Sequence, residues 1–125
     1  MKSILIVAAI SGLLAVILGA FGAHALKGEL NPEMLEVYKT GNQYQFYHTF
    51  ALLAVGILMN FNRSQALKWS AYLFITGLVL FSGSLYILAI SGIKALGMIT
   101  PFGGTAWIVA WILLIVHCNR QVNPK

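Results

Sequence analysis

Four stretches of this chain contain no charged residue: Ser3–Leu26, Thr40–Asn62, Trp69–Ile93 and Ala95–Asn119, of 24, 23, 25 and 25 residues. Crossing the hydrocarbon core of a bilayer takes about 20 mostly apolar residues at 1.5 Å of rise each. Every stretch is long enough, and the segments between them are too short to build a separate soluble core. The sequence therefore predicts one integral membrane domain over residues 1–125. Its fold class is all-α, an up-down-up-down transmembrane four-helix bundle with helices at about 4–25, 42–60, 65–91 and 101–118.

Composition narrows the function classes. Hydrophobic residues make up 59% of the chain and charged residues 9%, against about 25% charged in a soluble domain. The net charge of +5 is carried by scattered Lys and Arg residues. No basic stripe forms, so no nucleic-acid partner is expected. The lone cysteine, Cys118, excludes an internal disulfide. Lys2, an apolar run and Ala23-His24-Ala25 imitate a signal peptide with its cleavage site. A signal core is about 7–15 residues, and the run from Ile4 to Ala23 is longer, so a retained helix is expected.

Local signals set the joints. Asn31-Pro32-Glu33 reads as a cap, a first-position proline and an acid at the positive helix end. Residues 32–39 are too few to span and mix Glu33, Glu36 and Lys39 with Met34, Leu35, Val37 and Tyr38. They read as a short amphipathic turn at the membrane surface, broken from helix two at Gly41, with Glu33 and Glu36 on a solvated face. Ser64 can cap helix three, and Thr100-Pro101 can start helix four. Lys2, Arg63, Lys68, Arg120 and Lys125 fall on one side of such a bundle, and Lys27, Lys39 and Lys94 on the other. The positive-inside rule then puts both termini in the cytoplasm of a multi-pass plasma-membrane protein.

Small residues repeat at packing intervals. Ala8, Gly12, Ala15, Gly19 and Gly22 form a stripe on helix one, and Ser70, Gly77, Ser84 and Ser91 recur every seven residues on helix three. In lipid, small residues let helix backbones approach. The two stripes are expected to face each other, with homo-oligomerisation as the alternative role.

Polar residues concentrate in one half of the expected bundle. Counting rise from each helix centre puts His48 about 5 Å outside the midplane, with Ser84 near the same depth and Tyr86 slightly further out. Gln45 lies one turn from His48 on the same face. Ser82, Thr105 and the interfacial His24 complete the candidate polar pocket. An intramembrane histidine is a functional-site candidate by default. The structural alternative is a neutral His48 hydrogen-bonded across helices to Ser82, Ser84 or Tyr86. His24 points away from the small stripe and His117 reads as an interface residue. Trp107 and Trp111 share a helix-four face, as packing or lipid-facing rings. Two histidines without a nearby Cys or Asp are too few ligands for a metal site, so no metal and no cofactor is expected. The chain has no Asp, hence no Ser-His-Asp set, and Gly103-Gly104-Thr105 lacks the lysine of a phosphate loop.

Four segments carry a family resemblance: Leu18-Gly19-Ala20-Phe21-Gly22-Ala23-His24-Ala25-Leu26, Thr40-Gly41-Asn42-Gln43-Tyr44-Gln45-Phe46-Tyr47-His48, Phe81-Ser82-Gly83-Ser84-Leu85-Tyr86 and Leu96-Gly97-Met98-Ile99-Thr100-Pro101-Phe102-Gly103-Gly104. In combination they resemble domain-of-unknown-function family 423, small bacterial membrane proteins related to eukaryotic transmembrane protein 256. The resemblance implies a multi-pass membrane protein and no particular reaction. Residues and resemblance together favour a non-enzymatic packing or accessory component, or a small oligomer, whose one certain partner is the lipid bilayer. The alternative is binding or passage of a small solute or proton through the polar pocket around His48.

Overall fold

The computed structural model describes residues 2–122, and Lys125, counted above on the basic side, lies outside them. The chain is all-helical. Its four helices are α1 (Lys2–His24), α2 (Pro32–Leu58), α3 (Gln65–Ser91) and α4 (Thr100–Val122), with a short 3-10 turn at Lys94–Met98 before α4.

The joints follow from local chemistry. Asn31 caps α2, its side-chain oxygen accepting the Met34 N–H at 2.7 Å, and Pro32 opens the helix where its missing N–H costs nothing. Ser64 caps α3 by accepting the Leu67 N–H at 3.0 Å. Gly92, at φ 73°, closes α3 in the left-handed conformation that glycine adopts without strain. Thr100 departs from its expected role. It is the first residue of α4, and its hydroxyl bonds Ser84 at 2.6 Å instead of capping the helix.

The separate interfacial turn over 32–39 is not present. Pro32–Leu58 is one continuous helix of 27 residues. Gly41 does not break it, because Gly41 is needed for close packing. A Cβ there would sit 3.1 Å from the Leu85 Cβ and 3.4 Å from the Ser82 carbonyl oxygen. Hydropathy sets α2 apart from the other three helices. Among the described residues, three helices are long and apolar enough to cross a membrane: Lys2–His24, Gln65–Ser91 and Lys94–Gln121. Helix α2 has the length, but Asn42, Gln43, Gln45, His48 and Thr49 lower its hydropathy. Amides and imidazoles are uncharged without being apolar, so a charge-free stretch is not equally apolar throughout.

Each neighbouring pair packs along its own seam. Against α2, α1 places Gly22 beside Tyr38, Gly19 beside Asn42, Gly12 beside Thr49 and Leu5 beside Gly56. Against α4, α3 places Ser70 on the Ala110 carbonyl, Gly77 under Trp107 and Ser84 on Thr100. The two small-residue stripes thus do not face each other. Each receives the larger side chains of its sequence neighbour, because a groove of glycines gains contacts from a ring or an amide and few from another groove. Ser91, the last member of the second stripe, is exposed and bonds its own-helix Ile87 carbonyl. The apolar core joins Ile4 and Ala8, Ala51, Leu52 and Val55, Leu67, Ala71 and Phe74, and Trp107 with Ala110.

One irregularity shapes the region beyond that core. Residues Leu78–Gly83 of α3 form a π-helical turn between the α-helical segments Gln65–Gly77 and Ser84–Ser91. Such turns are rare and change the direction of the side chains that follow. Here Gly103 of α4 packs directly on the widened turn. A Cβ at Gly103 would lie 2.4 Å from the Phe81 backbone nitrogen.

Candidate functional site

Two clusters meet beside the π-turn, one polar and one aromatic. The polar cluster lies where α1, α2 and α3 converge. The hydroxyls of Ser11 and Thr49 bond each other at 2.6 Å. The Gln45 amide donates to the Ser11 carbonyl at 3.1 Å. Tyr86 donates its hydroxyl to the Gln45 amide oxygen at 2.5 Å and accepts from Asn42 Nδ2 at 3.1 Å. Asn42 also donates to the Ala15 carbonyl at 2.9 Å. Tyr38 ends the series by donating to the Leu18 carbonyl, and its ring lies 5.0 Å from that of Tyr86. Among the described residues, no buried side-chain nitrogen or oxygen lacks a partner. That closure matters because an unmade bond in a low-dielectric interior costs about 1–3 kcal/mol.

Three of these bonds end on α1 carbonyls that are already used within the helix. A carbonyl has two lone pairs, so Ala15, Leu18 and Ser11 can each take a second donor. The small residues of α1 let the α2 side chains come that close. A Cβ at Gly19 would lie 3.0 Å from the Asn42 amide oxygen, and one at Gly22 only 2.3 Å from the Tyr38 ring.

The aromatic cluster is centred on His48. Its ring stacks on Trp107 of α4 with centroids 3.6 Å apart and planes 1° from parallel. Phe74 and Trp111 stand 6.1 and 6.0 Å away, and Phe81 packs on the far side of the system at 4.7 Å from Trp107. His48 Nδ1 bonds the Tyr44 carbonyl of its own helix at 2.8 Å. A carbonyl only accepts, so Nδ1 carries a proton, and Nε2 makes no hydrogen bond among the described residues. Trp107 is fixed in turn by its Nε1–H, which donates to the Phe74 carbonyl at 3.1 Å through the gap left by Gly77.

This geometry redistributes the residues expected to form one pocket. Gln45 and Tyr86 belong to the polar cluster. His48 does not bond Ser82, Ser84 or Tyr86 as expected. Its interhelical partner is an indole, and its hydrogen bond stays within α2. Ser82 donates to the Gly41 carbonyl at 2.7 Å and so ties α3 to α2. Ser84 joins Thr100 at the other side of α3. Thr105 is exposed and bonds its own-helix Pro101 carbonyl at 2.8 Å. His24 is exposed at the end of α1. His117, read as an interface residue, is buried and bonds the Ser64 hydroxyl at 2.7 Å. Glu36 is exposed, with a 3.9 Å ion pair to Lys39 one turn on.

Ser11, Asn42, Thr49 and Tyr38 were missed as site residues, although the helical period held the signal. Ser11 lies on the same α1 face as Ala8 and Ala15, and Thr49 stands one turn from Gln45. Trp107 was noted, but nothing local distinguished it from Trp111, which is exposed. Chemically, the polar cluster offers hydrogen-bond donors and acceptors already engaged with one another, and in the aromatic cluster His48 Nε2 makes no hydrogen bond among the described residues. Among the described residues no three His, Cys, Asp or Glu side chains gather as a metal site would require.

Comparison with known proteins gives consistent kinship. The family described as "Protein of unknown function (DUF423)" matches residues 18–104. The chain is 46% identical over 123 residues to the UPF0382 membrane protein YwdK of Bacillus subtilis, covering 98% of this chain and 100% of that protein. It is 42% identical over 119 residues to the UPF0382 inner membrane protein YgdD of Escherichia coli K12, covering 95% and 91%. It is 43% identical over 116 residues to the UPF0382 membrane protein SAB0533 of Staphylococcus aureus, covering 93% and 94%. No solved structure matches the chain.

Proposed function

From the premise that the chain belongs to the DUF423 family of membrane proteins, we propose that it is a non-enzymatic, multi-pass component of the plasma membrane that acts through lateral association, as a small oligomer or an accessory subunit. The reading has one integral membrane domain that crosses four times, up-down-up-down, with both termini cytoplasmic. Contacts between consecutive helices in opposite sense support that topology, since Gly22 meets Tyr38 while Leu5 meets Gly56. Helix α2 can act as a fourth span because its polar side chains face partners. Gln45, His48 and Thr49 are all buried, and each has a hydrogen bond.

The observation that carries the reading is the closed polar cluster. A solute pathway needs polar groups with valence to spare, and those of Ser11, Asn42, Gln45, Thr49 and Tyr86 are spent on holding helices together. The outward face, by contrast, is broadly apolar, with Leu13, Val16, Ile17, Phe50, Ile108 and Ile112 exposed. Such a surface suits lipid or another membrane protein. Native mass spectrometry directly from membrane vesicles should find the chain in assemblies of two or more chains. Proteoliposomes containing it should be no leakier to protons than empty ones. A chain that runs alone and passes protons or a solute overturns the reading.

Solute or proton binding is the second reading, and one observation favours it. A small niche of about 100 Å³ opens beside Gly19, Gly22, Tyr38 and Asn42, at one end of the polar cluster. It would admit a few waters, and the same flux measurement decides between the two readings.

A further inference from the structure

The charged residues of this chain are partitioned along the bundle. The three acids are Glu29, Glu33 and Glu36, and no Asp or Glu follows Glu36. The opposite end holds the α2–α3 connection, where among the described residues Arg63 and Lys68 have no Asp or Glu beside them. A cavity of about 620 Å³ opens there, and Arg63, Lys68, Gln65, Ser64 and Ser3 supply its polar lining. Its volume falls within the roughly 300–1,000 Å³ typical of ligand sites.

The cavity is amphipathic. Ile4, Met59 and the Tyr72 ring form an apolar wall beside the two cations. The wall lies between the start of α1 and the first turns of α3, two helices apolar enough to cross a membrane. A ligand that fits must therefore combine a negative head with an apolar body that continues along the helices. The first turn of α3 adds donors. Ser64 takes the Leu67 N–H and, through its carbonyl, the Lys68 N–H. The Gln65 and Ala66 N–H groups precede the intrahelical ladder and have no helical carbonyl to bond. Lys68 extends over the rings of Trp69 and Tyr72, at 5.9 and 6.0 Å from their centroids. That is the posture of a lysine at the level of lipid headgroups.

We infer that this cavity is a binding site for an anionic phospholipid, with the phosphate held by Arg63 and Lys68 and the glycerol and first acyl carbons against Ile4, Met59 and Tyr72. Arg63 can fork two N–H bonds onto phosphate oxygens, whereas Lys68 acts as a point charge. The site rests on the reading that the chain spans a bilayer, and it is independent of which side the termini occupy. It needs neither the oligomer nor the accessory role.

The test uses the full chain in nanodiscs of pure phosphatidylcholine, or of phosphatidylcholine with a graded fraction of phosphatidylglycerol. Thermal unfolding and lipid retention in native mass spectrometry are read together. Phosphatidylglycerol should raise the melting temperature and stay bound. The pair R63Q/K68Q should need roughly tenfold or more phosphatidylglycerol for the same shift, the weight of two surface cations on an anionic lipid. The pair K27Q/K94Q, at the opposite end, is the control for diffuse electrostatics and should behave as the parent does. Cooperative melting of both pairs in pure phosphatidylcholine shows that they fold. Inorganic phosphate added to phosphatidylcholine discs separates a soluble anion from a lipid and should leave the melting temperature unchanged. An equal loss in both pairs, no loss in R63Q/K68Q, or stabilisation by inorganic phosphate alone each overturns the lipid site. None of these results alters the oligomer and flux measurements on which the proposed function stands.

Discussion

The imidazole of His48 lies flat on the indole of Trp107, 3.6 Å between centroids and 1° between planes. This one contact couples α2 to α4, two helices that are not neighbours in the chain. It also changes what His48 is for. The side chain packs as an aromatic, and its one hydrogen bond stays within its own helix.

The conservative substitution at His48 is therefore an aromatic one. His48→Phe should keep the stack and stay within about 1 kcal/mol of the parent, since an aromatic pair contributes about 0.5–1.5 kcal/mol beyond its burial. His48→Gln and His48→Leu lose the ring and should both melt lower than His48→Phe. Detergent melting curves of the three variants check this order. Gln melting above Phe would show that hydrogen bonding, not stacking, holds the position.

Glycines around the π-turn should separate cleanly. In Gly77→Ala the new Cβ would lie 2.1 Å from Trp107 Nε1 and would expel the indole from the Phe74 carbonyl. Gly103→Ala would push on the Phe81 backbone. Overpacking of this kind costs about 1–3 kcal/mol and more against rigid backbone. Gly83→Ala meets nothing within 4 Å and should be neutral or gain a few tenths of a kcal/mol from its better helix propensity. Equal melting temperatures for all three would mean that α4 does not pack on the turn.

Removing one hydroxyl should unpick the polar cluster. Tyr86→Phe leaves the Gln45 oxygen and one Asn42 N–H without their shared partner. The expected loss is about 1–2 kcal/mol, toward the upper end of side-chain bonds measured within membranes. Tyr47→Phe breaks only the exposed pair with Gln43 and should cost less. A larger effect at Tyr47 would place the stabilising network on the wrong face of α2.

The proposed topology has a labelling consequence. With Cys118 replaced by Ser, a single cysteine at Glu29 or at Asn60, both exposed, reports one end of the bundle each. An impermeant thiol reagent added to intact cells should modify position 29 and spare position 60. Reversed labelling would invert the orientation, and labelling at both would contradict four spans.

Much of the framework was legible in the residues. Asn31-Pro32 and Ser64 mark helix starts through bonds made within four residues, so the caps read correctly from sequence, although the helix that Asn31 caps runs on through Gly41. The glycines were legible as packing positions but not by partner. Gly41 read as a break and is a contact surface for Leu85 and Ser82. The candidate site was legible only as a list of polar types at similar depth. Its division into a closed hydrogen-bond cluster and an aromatic stack was not, because a count of rise per residue fixes height and leaves the helix's rotation undetermined.

The sequence by itself determined that this chain is helical, that its long charge-free stretches suit a membrane, and where several of its helix ends fall. Those properties depend on propensity, capping and hydropathy, which act over a few neighbouring residues. Tertiary structure alone decided that α1 serves α2 and α3 serves α4, that α3 carries a π-turn under Gly103, and that His48 meets Trp107 and not Ser84. In an apolar solvent every outward face is equally acceptable, so hydropathy does not choose which faces meet. Shape, backbone proximity and the need to pair each buried polar atom make that choice, and they do so only when all four helices are present.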